Sequence, residues 1–596
     1  MEYLAAMRQQ LLAATLGLLS HWLYFIHGEH HMRAPLYGCL FLASFLALYF
    51  LELQVYHDSG LAIKAGMQIL GFFLLGLYTS MTAYRVFFHR LSAFPGPFGA
   101  RVSKIWHVWQ VRNAQNHLLM DRLHRQYGTF VRTGPEELTI FSTQALWELN
   151  APGSSFVRPD WYDMPLPLKS LANVRGVVEH DQRRRVWNQA FSAKALRNYE
   201  GRITKYADQL DQKIAEVNGQ PVNVYDAVSF YTSDMMSDLA FGKAFGNLQS
   251  QSFHHSVQGV RDFMSIFGTL TPVPWFVRLG SGILQHFNGW KRFFKFTRDK
   301  MNARIMQEPP VPDISSYLIA ASVENDTLEQ DLPYLEGDAL VLLIVGSDSM
   351  ATTLINSLAC LARHPKYQDQ IRSELQTLSS LSDFSAVLDL PILASVIKEV
   401  LRLWPPIATG SSRITPKDGM TISGKYIPAG TKVYAPRYVI ARMKSCFVRP
   451  NEFVPERWTI NKEMVRDRRG YSPFSHGQSV PELLVLFLLA LEGTLNISPS
   501  LQCLTLHLLL LGRYNCVGQR LSMMNVSYVI ALIVSKYDIA FASDEDGTRV
   551  YRDLQDNCKF RVETQTQILL EHHLTFAQVT FNPGRLDIVF NLREQE

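Results

Sequence analysis

The sequence predicts a mainly α-helical protein with minor β-sheets, preceded by apolar helices at its N-terminus. Three observations predict this. Hydrophobic residues make up 47% and charged residues 19% of 596 residues, which is enough apolar material for a sizeable core and too little charge for a disordered chain. The stretches from about Asp181 to Met306 and from Tyr334 to His364 run in a helical pattern with few breakers. Before residue 90 stand three apolar stretches in series. Lys and Arg total 58 against 53 Asp and Glu, and so small an excess argues against nucleic acid as the main partner. Six Cys without a CxxC pair suggest neither a disulfide scaffold nor a zinc site.

The first apolar stretch, Leu11–Ile26, is short and carries His21; the second is Pro35–Leu51. The third, Ala65–Tyr84, is about long enough to cross a hydrocarbon core of ~30 Å as a helix. A cleaved signal peptide accounts only for the first. Residues 1–90 therefore read as a retained anchor with up to three transmembrane helices, the alternative being that the first two are buried or interfacial. Arg85, His89, Arg90, Arg101 and Lys104 follow the third stretch, while Glu52 and Asp58 precede it. The bias of positive charge toward the cytosol places the chain after Tyr84 there. Phe94-Pro95-Gly96-Pro97-Phe98-Gly99 cannot continue a helix, and marks a stiff break before a body at 91–596.

Within the body, Thr129–Ser142 reads as two short strands around a Gly-Pro turn. Leu388–Leu403 reads as a helix stopped by Trp404-Pro405-Pro406, and Thr421–Tyr434 as a hairpin. Residues 440–475 are loop-rich, and Phe576–Phe581 and Leu586–Asn591 are strand-like.

The chemistry concentrates in the second half. Glu399 and Arg402 share one face of an apolar helix, where a buried pair would seek further donors and acceptors. Arg457, in Pro455-Glu456-Arg457-Trp458, is a candidate third member. Pro473-Phe474-Ser475-His476-Gly477 and, later, Arg513-Tyr514-Asn515-Cys516-Val517-Gly518 flank a long intervening segment. A Cys entering a helix N-terminus can present its sulfur as a thiolate; alone, Cys516 reads first as a buried structural thiol.

Taken in order, the Pro-Gly-Pro at 95–97, the ExxR at 399–402, the PERW at 455–458 and the Cys-x-Gly at 516–518 resemble the cytochrome P-450 monooxygenases of the fungal, membrane-bound type, over about residues 90–596. The resemblance implies haem, the iron protoporphyrin (heme) group, with Cys516 as its axial ligand and Phe474 in the haem loop. It implies that Glu399, Arg402 and Arg457 form the cluster behind the haem, and that His180 and Arg184, an HxxxR pair on one helix face, reach the propionates. It implies that Gly346, Asp348 and Ser349 lie on the distal side, Gly346 leaving room for dioxygen and Asp348 with Ser349 relaying protons. Ser349 stands where the family usually has Thr, and loses the methyl that stiffens χ1. Tyr514 stands where the family often has Arg.

One departure is larger. In the family the Phe of the haem loop lies seven residues before the Cys, whereas Phe474 and Cys516 are 42 apart. Removing the 35 residues Gln478–Gly512 restores the spacing. This Leu-rich insert reads as a retained intron; the alternative is a genuine extra helical hairpin or membrane-dipping segment. The resemblance further implies insertion of one atom of dioxygen into a lipophilic small molecule, with NADPH electrons from a membrane-bound NADPH–cytochrome reductase, in fungal secondary metabolism at the endoplasmic reticulum. Two rivals stand beside this reading: a reductase-independent haem-thiolate isomerase or dehydratase, and an inactive membrane protein whose haem loop the insert has broken. NADPH dependence separates the first rival, and the spectrum of the reduced, carbon-monoxide-bound protein the second.

Overall fold

The computed structural model describes residues 2–112, 115–151, 154–255, 257–258, 270–283, 288–475, 514–543 and 585–593. Three helices open the chain: α1 (Glu2–Ser20), α2 (Ala34–Tyr56) and α3 (Ser59–Ala83). The left-handed His57 ends α2, and Asp58 caps α3 by accepting the Leu61 N–H at 2.8 Å. α1 lies against α3 at backbone contact. A Cβ on Gly17 would stand 2.0 Å from the Phe73 carbonyl oxygen, and one on Gly76 2.0 Å from that of Ala14, so the crossing requires glycine on both helices.

Among the described residues three helical stretches are long and apolar enough to cross a membrane. Two are N-terminal, His31–Tyr56 and Ser59–Phe88; the third, Leu328–Arg363, is 67% buried inside the body. The helix holding the first apolar stretch is not among them, and carries Glu2, Arg8, Gln9 and Gln10.

The body is built around helices. α4 (Val177–Ala190), α5 (Ala193–Glu216) and α6 (Val224–Phe241) come first, followed by α7 (Pro274–Ile283) and α8 (Asn288–Ile305). The long central helix expected over Tyr334–His364 is two helices, α9 (Leu328–Val341) and α10 (Ser347–Arg363), joined by one π-turn, Leu342–Gly346. At that turn the Ser347 hydroxyl donates to the Leu343 carbonyl, competing with the regular ladder. α11 (Pro391–Leu403) stops at Trp404, as expected, and α12 (Gln519–Lys536) follows the Cys516 loop. Nearly every residue of α6 and α10 is buried, so these two helices form the centre of the core.

Three small sheets edge this core. β1 (Phe130–Gly134) and β2 (Glu137–Ile140) form the expected hairpin. The Thr421–Tyr434 hairpin is shorter than expected. β5 (Met420–Ile422) and β6 (Lys425–Ile427) pair around Ser423 and Gly424, both at positive φ. Pro428 then ends the pairing, and β7 (Lys432–Tyr434) crosses to lie parallel to β2 and antiparallel to β4 (Arg413–Ile414). Val222–Asn223 (β3), Tyr537–Phe541 (β8) and Asp587–Leu592 (β9) make a third sheet in the order β3-β9-β8. The strand expected at Phe576–Phe581 lies outside the described residues.

Candidate active site

Glu399, on α11, has no accessible surface and accepts five hydrogen bonds. Arg402 Nε and Nη2 donate at 2.9 and 2.8 Å, Arg457 Nε and the Val454 N–H at 3.0 Å, and Trp458 Nε1 at 2.9 Å. Arg402 and Arg457 are as fully buried, and pass their remaining N–H groups to the carbonyls of Ala441, Pro450 and Val448. The structure therefore brings the three expected residues into one satisfied cluster, which ties α11 to the loop-rich segment after it.

The chain resumes beside the point where the preceding described segment ends. The Cys516 N–H donates to the Phe474 carbonyl at 2.9 Å, so the two halves of the expected haem loop meet although 42 positions separate them. His476, Gly477 and the insert 478–512 lie outside the described residues. Gly518 caps α12. Burial pushes the Cys516 thiol pKa up, while the Gly518 N–H, Arg184 and Arg437 pull it down. The side chain nonetheless keeps accessible surface.

α4 holds this loop. Arg184 donates to the carbonyl and to the side-chain oxygen of Asn515, both at 2.6 Å. His180 is buried, its ring 4.8 Å from that of Tyr514. Burial and then Arg158 push its pKa down to about 4, so the imidazole is neutral. The neighbouring Arg183 turns the other way, and with Trp187 binds the buried carboxylate of Asp338 on α9.

Sequence reasoning missed three residues here: Arg158, Arg413 and Arg437. All are buried. Arg158 donates to the carbonyls of Leu171 and Val174, Arg413 to the Tyr162 hydroxyl, and Arg437 to the Ser475 hydroxyl. Among the described residues none forms an ion pair with a carboxylate, and the Nε of each is a buried donor without an acceptor. Two of them approach the Tyr514 ring, with the guanidinium carbons of Arg158 and Arg413 at 4.7 and 4.3 Å from its centroid, and the Tyr514 hydroxyl has no partner among the described residues. Buried guanidinium groups without a counter-charge cost several kcal/mol each. This donor set fits an anionic ligand with two carboxylates and a metal for the thiol, which is what haem offers.

A cavity of about 570 Å³ adjoins these groups. Arg158, Arg413 and Tyr514 line it, as do Val345, Asp348 and Ser349 beside the π-turn. Ser349 Oγ donates back to the Val345 carbonyl at 2.9 Å. Gly346 has another neighbour: a Cβ there would stand 2.7 Å from Met236 Cε on α6, so its missing side chain makes room for a core methionine.

The Cytochrome P450 family profile matches residues 95–479. The chain belongs to the cytochrome P450 family. The match ends where the long insert begins. Among curated relatives, Cytochrome P450 monooxygenase notG' of Aspergillus versicolor is 32% identical over 94% of this chain and 97% of its own length. Tryprostatin B 6-hydroxylase of Aspergillus fumigatus is 30% identical over 94% of this chain and 96% of its own length. A solved cytochrome P450DA haem domain superposes with a TM-score of 0.59 at 17% identity, over 82% of this chain and 94% of that one, which shows the shared fold. This P450 is thus a haem-thiolate monooxygenase that acts on a small molecule and draws electrons from a redox partner, and its N-terminal apolar helices are compatible with a membrane anchor.

Proposed function

We propose that this P450 hydroxylates a lipophilic small molecule in a fungal secondary-metabolite pathway, using NADPH electrons from a membrane-bound cytochrome reductase. Bound haem supplies the activation of dioxygen, of which one atom enters the substrate and the other leaves as water with two electrons and two protons. Cys516 Sγ would hold the iron as a thiolate, with the Gly518 N–H, Arg184 and Arg437 offsetting part of the burial that raises its pKa. Arg158, Arg413, Arg437 and the Tyr514 hydroxyl carry the unpartnered donors that suit the two propionates, while His180 and Arg184 hold the 514–516 loop in place. Glu399, Arg402 and Arg457 fix α11 behind that loop.

On the other side, Asp348 and Ser349 face the cavity. Rotation of the Ser349 hydroxyl about χ1 releases the Val345 carbonyl and turns its proton into the cavity, and serine turns more freely than threonine. Asp348, adjacent, returns the proton. Most of the remaining lining is apolar, which suits a lipophilic substrate, and the Aspergillus fumigatus relative is named for a hydroxylation. The basic residues after α3 favour a cytosolic body on the endoplasmic reticulum.

The observation that carries this reading is the hydrogen bond from Cys516 to Phe474, which closes the thiolate loop beside unpaired buried arginines. The reduced, carbon-monoxide-bound spectrum tests it. The parent should show a Soret band at the thiolate position, and Cys516→Ser should lose it; a thiolate-type band that persists in Cys516→Ser refutes the assignment. The insert is best read as a retained intron, and a transcript running unbroken through codons 478–512 would refute that.

A further inference from the structure

One guanidinium links the N-terminal segment to the wall of the cavity. Arg175 Nη1 donates to Glu29 Oε2 and to Asp163 Oδ2, both at 2.7 Å, and Nη2 donates to Glu29 Oε1 at 2.8 Å. Its Nε donates to the backbone carbonyl of Arg158 at 3.0 Å. His31 Nε2 stands 2.9 Å from the same Asp163 Oδ2. Glu29 and His31 belong to the connection between α1 and α2, far from the other three residues in sequence. Asp163 closes the short turn Asp160–Asp163. This turn and its flanking residues form the wall: Arg158, Trp161, Tyr162, Met164 and Leu166 all line the cavity.

A second support comes from α7, where Arg278 Nη1 donates to the Leu166 carbonyl at 2.8 Å. α7 also rests on the anchor, since a Cβ on Gly38 of α2 would stand 3.2 Å from Leu279 Cδ1. Loop 158–168 is thus held from two sides, and both supports touch the N-terminal segment. Glu29, His31 and Asp163 also have the spacing of a metal site. Arg175 already supplies the positive charge there, binding both carboxylates, so the group is a clamp and not a cation site.

We propose that Glu29 and His31 are positioning residues for the substrate cavity, fixing the wall 158–168 through Asp163 and Arg175. The connection at the base of the anchor then forms part of the pocket's outer shell, and an enzyme trimmed of its N-terminus has a looser cavity. This rests on the reading of the cavity as the one that holds haem and substrate. It also places the start of α2 on the same side of the membrane as the body, with the α2–α3 turn at His57-Asp58 on the other.

The test uses full-length protein in lipid nanodiscs, as parent, Glu29→Ala/His31→Ala and Glu29→Asp. Two iron-binding probes, imidazole and a bulky N-benzhydryl imidazole, are titrated spectrally, and hydrogen exchange is followed in 158–168. In the double variant the bulky probe should bind at least about fivefold more weakly, with imidazole within about twofold of the parent and exchange in 158–168 about tenfold faster. Glu29→Asp, which keeps a carboxylate for Arg175 and leaves His31 in place, should bind the bulky probe within about twofold of the parent. A bulky-probe affinity within twofold of the parent overturns the proposal, as does an equal shift for both probes, or exchange that does not change. If the parent shows no thiolate band with carbon monoxide, the haem-site reading has failed; the exchange measurement still decides the clamp.

Discussion

Replacing Glu399 by Gln changes the shape of one buried side chain very little and its electrostatics completely. The carboxylate takes three donors on Oε1 (Arg402 Nη2, Arg457 Nε and the Val454 N–H) and two on Oε2 (Arg402 Nε and Trp458 Nε1). A glutamine amide keeps one oxygen and puts an NH₂ in place of the other. Whichever way it turns, two or three buried donors lose their acceptor, at about 1–3 kcal/mol each. Arg402 and Arg457, both without accessible surface, also lose their shared counter-charge, and breaking a buried ion pair costs about 3–5 kcal/mol. No cavity forms, so the effect is electrostatic. For a body of about 500 residues each kcal/mol is worth about 1 °C, so a loss of this size should lower the midpoint for thermal loss of the thiolate carbon-monoxide band by roughly 5 °C. Glu456→Gln is the matched control: its carboxylate meets Lys366 and Tyr367 near the surface, and the cost should stay within about 1 kcal/mol. Should Glu399→Gln melt within about 2 °C of the parent, the cluster does not hold the body together and the reasoning fails.

Other outcomes rest on the same geometry. Deleting 478–512 should leave the thiolate band intact, because the Cys516–Phe474 hydrogen bond does not run through the insert; loss of the band on deletion would contradict this. Ser349→Ala should keep haem and substrate binding but divert NADPH electrons to peroxide, and Ser349→Thr should recover coupling; the ratio of product to NADPH consumed reads both. His107 sits between the Lys104 ammonium at 2.8 Å and the Asn116 side-chain oxygen at 2.9 Å, and burial with Lys104 pushes its pKa down to about 3, only partly offset by Glu137. Above its ordinary value near 6.5 the imidazole is neutral in both folded and unfolded chains, so its contribution does not vary with pH. As the pH falls below 6.5 only the unfolded chain takes the proton. Stability is therefore lost at about 1.4 kcal/mol per pH unit, or about 2 kcal/mol by pH 5. His107→Gln should make the acid slope shallower by this share only, since burial pushes down His89, His117, His180 and His364 as well, and an unchanged acid slope would refute it.

What the sequence made legible was mostly local. Glu399 and Arg402 share a helix face by spacing alone, and the double proline after Trp404 ends that helix where the structure does. The apolar run through Asp348 marked the central helix. Its π-turn went unread because no proline or glycine pair signals it: Ser347, one hydroxyl among several, diverts the ladder. β7 was assigned to the wrong partner because its three residues pair with β2, nearly 300 positions earlier, and short strands carry no record of distant neighbours. Arg158, Arg413 and Arg437 escaped for a related reason. Each looks like an ordinary surface arginine in its own segment, and only the folded chain shows them buried together without carboxylates. Tyr514 was the one available hint, since an aromatic ring in a position the family often gives to arginine asks where the missing positive charge went. The structure answers with two guanidinium groups within 5 Å of the ring centroid, at 4.7 and 4.3 Å.

The contact between Cys516 and Phe474 makes residues 476–513 a detour whose entrance and exit adjoin. A gene can lengthen or shorten such a detour by shifting a splice boundary while the sulfur's immediate surroundings stay the same. The same junction offers an engineer a grafting point, where a fluorescent or affinity cassette with neighbouring termini could be installed next to the pigment and used to report on its occupancy.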